Sequence, residues 1–124
     1  MNQINQSASL LLTSIEKAEE MGVDPNRWVF LHGASDVTDV WNVSYRENFY
    51  SSPSMKIMGE NALNMAGLKI NDIRHLDLYS CFPSAVQIAR NELGIPKDDQ
   101  RHLTVTGGLP FHGGAGNNYV MNSI

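Results

Sequence analysis

The sequence predicts an α/β layered fold, with helices packed on a sheet of parallel pairings. Three observations predict it. Short apolar runs of strand length alternate with helical patterns along the chain. The helical patterns end on glycines, at Gly22, Gly67 and Gly94. A composition 42% hydrophobic and 18% charged suits a packed core and not a disordered tail.

The elements follow in order. Ala8–Thr13 (ASLLLT) is apolar and of strand length. Thr13 and Glu16 have the T-x-x-E spacing of a capping box, which predicts a helix over Ser14–Met21, with Gly22 beyond its end and Pro25 shortly after. Trp28–His32 (WVFLH), rich in aromatic and branched residues, reads as a buried strand. From Ala34 to about Ser52 no period is clear. Structureless loops rarely exceed about 12–15 residues, so this stretch is a functional loop or holds short helical turns, placed around Trp41–Tyr50.

Pro53 opens a helix to Ala66 whose apolar side is Ile57, Ala62, Leu63, Met65 and Ala66. Leu76–Tyr79 (LDLY) is the next strand, Pro83–Leu93 a helix closed by Gly94, and Leu103–Thr106 (LTVT) a third core strand. The glycine-rich stretch Gly107–Gly116 leads into an apolar helical pattern at Asn117–Ile124 with no terminating signal. That ending, and a start that runs straight into an apolar segment, read as a piece excised from a longer chain. At roughly 100–200 residues per domain, 124 residues make one domain or part of one.

Composition narrows the function. A net charge of −4, with nine scattered Lys and Arg, argues against nucleic acid as the main partner, because phosphate binding needs clustered cations. No apolar run approaches the ~18 residues of a membrane span, and the first residues lack the basic region of a signal peptide. A single cysteine, Cys81, forms no internal disulfide, which suits the cytoplasm.

Two segments carry chemistry. Tyr79-Ser80-Cys81-Phe82 lies where a strand gives way to a helix, the place where ligands gather in α/β folds. Its structural reading is equally simple: Ser80 caps the helix and Cys81 is a small buried apolar residue. The second segment is Gly107-Gly108-Leu109-Pro110-Phe111-His112-Gly113-Gly114-Ala115-Gly116, with five glycines in ten residues, which lets backbone approach a ligand closely. His112 has the chemistry of a general base or of an oxyanion donor, against the alternative of a structural histidine in a tight connection. His32, His75 and His102 are weaker candidates. No His, Cys, Asp or Glu group has metal-site spacing, so no metal is expected.

Together these segments resemble the thiolase superfamily over nearly the whole chain. Ala8–Gly22 looks like the last strand of that family's N-terminal half and its connecting helix, and Ala62–Asp77 (ALNMAGLKINDIRHLD) like its helix, AGL turn and following strand. Tyr79–Phe82 stands where thiolases carry N-E-A-F or H-D-C-F, and Gly107–Gly116 where they carry GG, four residues and G-H-P-x-G. The resemblance divides the chain at 22: residues 1–22 close the N-terminal half, and 23–124 form a partial C-terminal domain, a layered mixed sheet with helices incomplete at both ends. It implies a parent protein that transfers acyl groups by Claisen condensation or thiolysis, with a coenzyme A thioester as substrate and no bound cofactor. Tyr79 and His112 would contact the thioester oxygen, and Gly107, Gly108, Gly113, Gly114 and Phe82 would line the substrate.

The departures are specific. Tyr79 replaces the family's Asn or His, and a phenol donates only one hydrogen bond. Counting without a gap, the register favoured, puts Gly114 at the catalytic histidine position. A two-residue deletion puts His112 there. The nucleophile half and the C-x-G strand are absent from the sequence, so the chain alone is expected to be inactive. Cys81 matches the third position of H-D-C-F and not the nucleophile. Two other readings follow: a thiolase-like lyase that cleaves a β-hydroxyacyl-CoA by retro-aldol chemistry with a small OB-fold partner, or a non-catalytic thiolase-fold scaffold. Exposed apolar surface further predicts a homo-oligomer.

Overall fold

The computed structural model describes residues 3–124; Met1 and Asn2, which fall in the segment 1–22, lie outside the described residues. Four helices appear: α1 (Ile15–Glu20), α2 (Pro53–Ala66), α3 (Pro83–Glu92) and α4 (Leu109–His112). Short 3-10 turns lie at Pro25–Arg27, Val43–Tyr45, Ile70–Asp72 and Gly116–Asn122.

The first three helices form where the sequence places them, because their ends are written locally. Ser14 caps α1 by accepting the Lys17 N–H, so the cap lies one residue beyond the expected Thr13. The Glu16 carboxyl is held below its usual value, chiefly by its own backbone N–H and then by the Ser14 hydroxyl. Ser52 caps α2, and Pro53 supplies the preset φ of its first turn. Gly67 and Gly94, at φ 68° each, turn the chain out of α2 and α3. Beyond them, Leu68 N–H returns to the Leu63 carbonyl and Ile95 N–H to the Arg90 carbonyl, both at 3.0 Å. Buried Ile95 thereby locks the end of α3 into the core.

The layered mixed sheet does not form. Among the described residues there is no β-strand, and Ala8–Thr13, Trp28–His32, Leu76–Tyr79 and Leu103–Thr106 all run as irregular chain. The physical reason is pairing. A strand exists only as a ladder of hydrogen bonds to a neighbour. Here Leu78 N–H reaches the Leu103 carbonyl at 2.8 Å, but the next donor, Val105 N–H, goes to the Asp77 carboxylate at 2.9 Å. Val29, Phe30 and Leu31 are all exposed, so that segment has no buried face to fix it.

What packs is a helix pair. α2 lies against α3, and Gly59 admits the Leu93 side chain, whose Cδ2 would stand 2.2 Å from any β-carbon added there. Buried apolar side chains are few: Ala18, Leu76, Ala89 and Ile95. Polar pins supplement them. Buried Ser52 donates its hydroxyl to Asp39 at 3.0 Å and its N–H to Glu92 at 2.8 Å, tying the 34–52 loop and the end of α3 to the start of α2. Arg101 grips the Asp99 carboxylate and donates to the carbonyls of Ile70 and Ile73, both at 2.7 Å. That guanidinium holds the Asp99 carboxyl down at about 2.

Candidate functional site

The two chemistry-bearing segments meet. Ser80 is buried, and its hydroxyl oxygen accepts the N–H of Leu109 at 2.9 Å, joining the Tyr79–Phe82 turn to the glycine-rich loop across 29 residues of sequence. Ser80 therefore caps, as its type suggests, but it caps α4 and not α3, whose own N-terminal position, Phe82, makes no side-chain bond. Gly108, at φ 91°, makes the approach feasible: a β-carbon there would sit 3.2 Å from the Ser80 oxygen. Within the glycine-rich loop Leu109–His112 form α4, with Phe111 exposed.

Tyr79 and Cys81 flank Ser80. The Tyr79 phenol is pushed above its usual value by its hydrogen bond with Cys81, then by the charge of a Cys81 thiolate, then by partial burial. The Tyr79 ring tilts against Tyr119 with centroids 5.7 Å apart. Burial raises the Tyr119 phenol as well, with smaller contributions from Tyr79, Asp77 and Cys81. Asp77 is itself engaged, accepting from Ser123 at 2.7 Å and from the Val105 N–H. The result is a phenol–thiol–phenol cluster backed by a carboxylate, in which both phenols keep their protons through neutral pH.

Of the other predicted residues, Gly114 lies beside this cluster: a β-carbon added to it would come 3.9 Å from the Tyr119 β-carbon and 2.7 Å from Leu109 Cδ2. His112 is held through its backbone. Its carbonyl accepts the Gln6 amide at 2.6 Å, and its Nε2 is buried without a partner. Buried Gly113 is covered by Ile4. Gly107, at φ 86°, turns the chain into the loop, and Phe82 stands exposed beside the turn. Sequence reasoning missed Tyr119 and Asp77. Tyr119 falls in the apolar pattern at Asn117–Ile124, which forms a 3-10 turn over Gly116–Asn122 and not the expected helix.

The site is an open surface. Two hollows, of about 430 Å³ beside Lys56 and Leu93 and about 330 Å³ beside Asp39 and Arg46, include neither Tyr79 nor the glycine-rich loop. Among the described residues no group of His, Cys, Asp and Glu could hold a metal ion, and no helix is long and apolar enough to cross a membrane.

The fold that brings these segments together is thiolase-like. A crystal structure described as a monomeric SCP2-thiolase like protein type 1, from Mycobacterium smegmatis, superposes on 88% of this chain with a TM-score of 0.79 and 41% sequence identity. The chain spans 24% of the length of that solved chain. No family model and no curated protein matches it.

Proposed function

We propose that this chain is the thioester-facing part of a thiolase-like acyl-CoA acyltransferase, holding a coenzyme A thioester against Tyr79 and the glycine-rich loop, and that the chain alone does not turn substrate over. One observation carries the reading: the 2.9 Å bond from Leu109 N–H to Ser80, which brings together the two motifs on which the thiolase likeness rests. The Tyr79 phenol, raised further above neutral pH, keeps its proton there, and its one O–H turns from Cys81 to donate to a thioester oxygen. Gly107, Gly108, Gly113, Gly114 and Phe82 are assigned to the substrate wall. His112 is assigned to the same oxygen, and its role is the separable part of the proposal, because the ungapped register puts Gly114 at the catalytic histidine position and Gly114 lies beside Tyr119.

The test is a titration of the chain with acetyl-CoA, followed by amide NMR. Saturable shifts at Tyr79 and Gly107–Gly116, weakened roughly fivefold in Tyr79→Phe, are expected from the loss of one hydrogen bond. Shifts confined to other residues would sink the site. In a longer thiolase-like chain carrying this segment, His112→Ala should lower acyl transfer, and turnover within about twofold of the parent would remove His112 from the chemistry.

The Tyr79–Cys81 contact favours a second reading. A phenol paired with a thiol can serve as the acid–base group of retro-aldol cleavage, in a lyase acting on a β-hydroxyacyl-CoA with a small OB-fold partner. Release of ketone or aldehyde from such a thioester, lost in Tyr79→Phe, distinguishes this reaction from thiolysis dependent on free coenzyme A.

A further inference from the structure

Residues 3–8 lie against the end of the glycine-rich loop. Burial alternates along them: Gln3, Asn5 and Ser7 are exposed, whereas Ile4, Gln6 and Ala8 are half-buried. That two-residue period turns one face of the segment toward the fold, as in a strand. The Ile4 side chain rests on Gly113, which has no β-carbon to keep it off. The Gln6 side-chain amide donates to the His112 carbonyl at 2.6 Å, and the Asn118 side-chain amide donates to the Gln6 carbonyl at 3.4 Å. These bonds span 106 and 112 residues of sequence, so the tertiary fold and no local turn brings the segment here.

The contact is costly. Among the described residues, Gln6 Oε1 and His112 Nε2 are buried without a partner, and orphaned buried atoms destabilise a fold. For Gln6 the reason lies at the other end of its amide. Turned over, that amide would set oxygen against the His112 carbonyl oxygen, so the carbonyl decides which end faces the loop. A contact that leaves two polar atoms unpaired is a poor device for stability alone. Local costs of this kind are expected where a contact sets the geometry of a site. This loop needs such a hold, because Gly107, Gly108, Gly113 and Gly116 stand at positive φ and little in its own backbone resists rearrangement. Ser80 holds its first part, through Leu109.

We infer that Gln6 is a positioning residue for the proposed thioester site: its amide holds the His112 carbonyl and, with Ile4 on Gly113, straps down the second part of the glycine-rich loop as Ser80 holds the first. The inference rests on the proposed function for what the loop meets, and on these contacts alone for how the loop is held. Gln6 acts through the backbone of His112 and Gly113, which leads directly into Gly114 beside Tyr119. Released from the strap, Gly114 is free to leave Tyr119, and ligand binding weakens although no group assigned to the substrate is lost.

The experiment compares the full chain with Gln6→Ala and Gln6→Glu, the second of which keeps the length of the side chain and loses the donor. Amide exchange by NMR reads the loop at Gly113, Gly116 and Asn118, whose N–H groups bond to the carbonyls of Leu109, Gly114 and Ala115. Acetyl-CoA titration reads the site, and exchange within α2 is the folding control. Both variants should speed exchange at those three amides roughly five- to tenfold and weaken acetyl-CoA binding by a similar factor, with Leu109 and α2 near their parent rates. Ser7→Ala, on the exposed face of the same segment, should change neither reading. Unchanged loop amides in both variants would mean that the strap rests on the loop without shaping it. Faster loop exchange with undiminished acetyl-CoA affinity would make Gln6 structural and nothing more, and equal acceleration in α2 would make its role global. Each of these three results overturns the inference. A parent chain that binds no acetyl-CoA fails the proposed function, and that failure is separate, because the exchange rates decide the hold of Gln6 on the loop without any ligand.

Discussion

Removing the Ser80 hydroxyl should free the glycine-rich loop while leaving the helix pair intact. In Ser80→Ala the Leu109 N–H loses its acceptor at a buried position. An orphaned buried donor costs about 1–3 kcal/mol. The loop has little to compensate with, since α4 spans only Leu109–His112 and makes no side-chain cap of its own. The loss should be local, because α2 and α3 are held by Ser52, Gly59 and Leu93, none of which touches Ser80. Hydrogen exchange read by NMR is the assay. Leu109 should exchange roughly ten- to a hundredfold faster in the variant, the equivalent of about 1.4–2.8 kcal/mol, and amides in the middle of α2 should stay near their parent rates. Equal acceleration across α2 would mean that Ser80 supports the whole fold. An unchanged Leu109 amide would mean that the bond holds nothing, and the joining of the two motifs would lose its support.

Two further predictions concern the scaffold. Gly33→Ala places a β-carbon 2.1 Å from the Ala62 carbonyl oxygen, a backbone atom of α2 that cannot swing aside, so the melting transition should fall by an amount corresponding to about 1–3 kcal/mol, and a variant as stable as the parent would refute the close approach. The Asp99 carboxyl is held at about 2, mainly by the Arg101 side chain, against 3.8 for the free group. The unfolded chain therefore binds the extra proton first, and the stabilisation from this pair is complete above about pH 5 and disappears as pH falls from about 4 to 2. Asp99→Asn should flatten that acid limb in urea titrations; parallel limbs in the two proteins would show that other carboxylates set it.

Helices were legible in the sequence because their signals lie within a few residues of the structure they specify. Pro53, Gly67, Pro83 and Gly94 mark the bounds of α2 and α3 closely, since a fixed φ or a left-handed φ acts on its own turn of chain. The strands were misjudged on the same sequence. Trp28–His32 has the composition of a buried strand, but composition states only what a segment favours once paired. Pairing depends on which backbone comes alongside, and here the Asp77 carboxylate takes a donor that a ladder would use. The thiolase likeness was legible all the same, since it rests on the order and spacing of motifs and not on ladders.

The candidate site divides along the same line. Tyr79, Ser80 and the glycine-rich loop could be read from sequence, since motif order carries them, whereas Tyr119 could not, because only the 5.7 Å approach of its ring to Tyr79 gives it relevance. The His112 carbonyl is bound by Gln6, while Gly114 backs onto Tyr119. Beside Gly114 stand two phenols, both raised above their ordinary values, and Tyr119 owes part of its rise to Tyr79. Tyr79→Phe should therefore lower the Tyr119 phenol toward its ordinary value by removing a neighbouring source of charge, which an ultraviolet tyrosine titration reads directly. An unshifted Tyr119 would mean that burial, Asp77 and Cys81 raise it without Tyr79 and that the two rings do not act as one group.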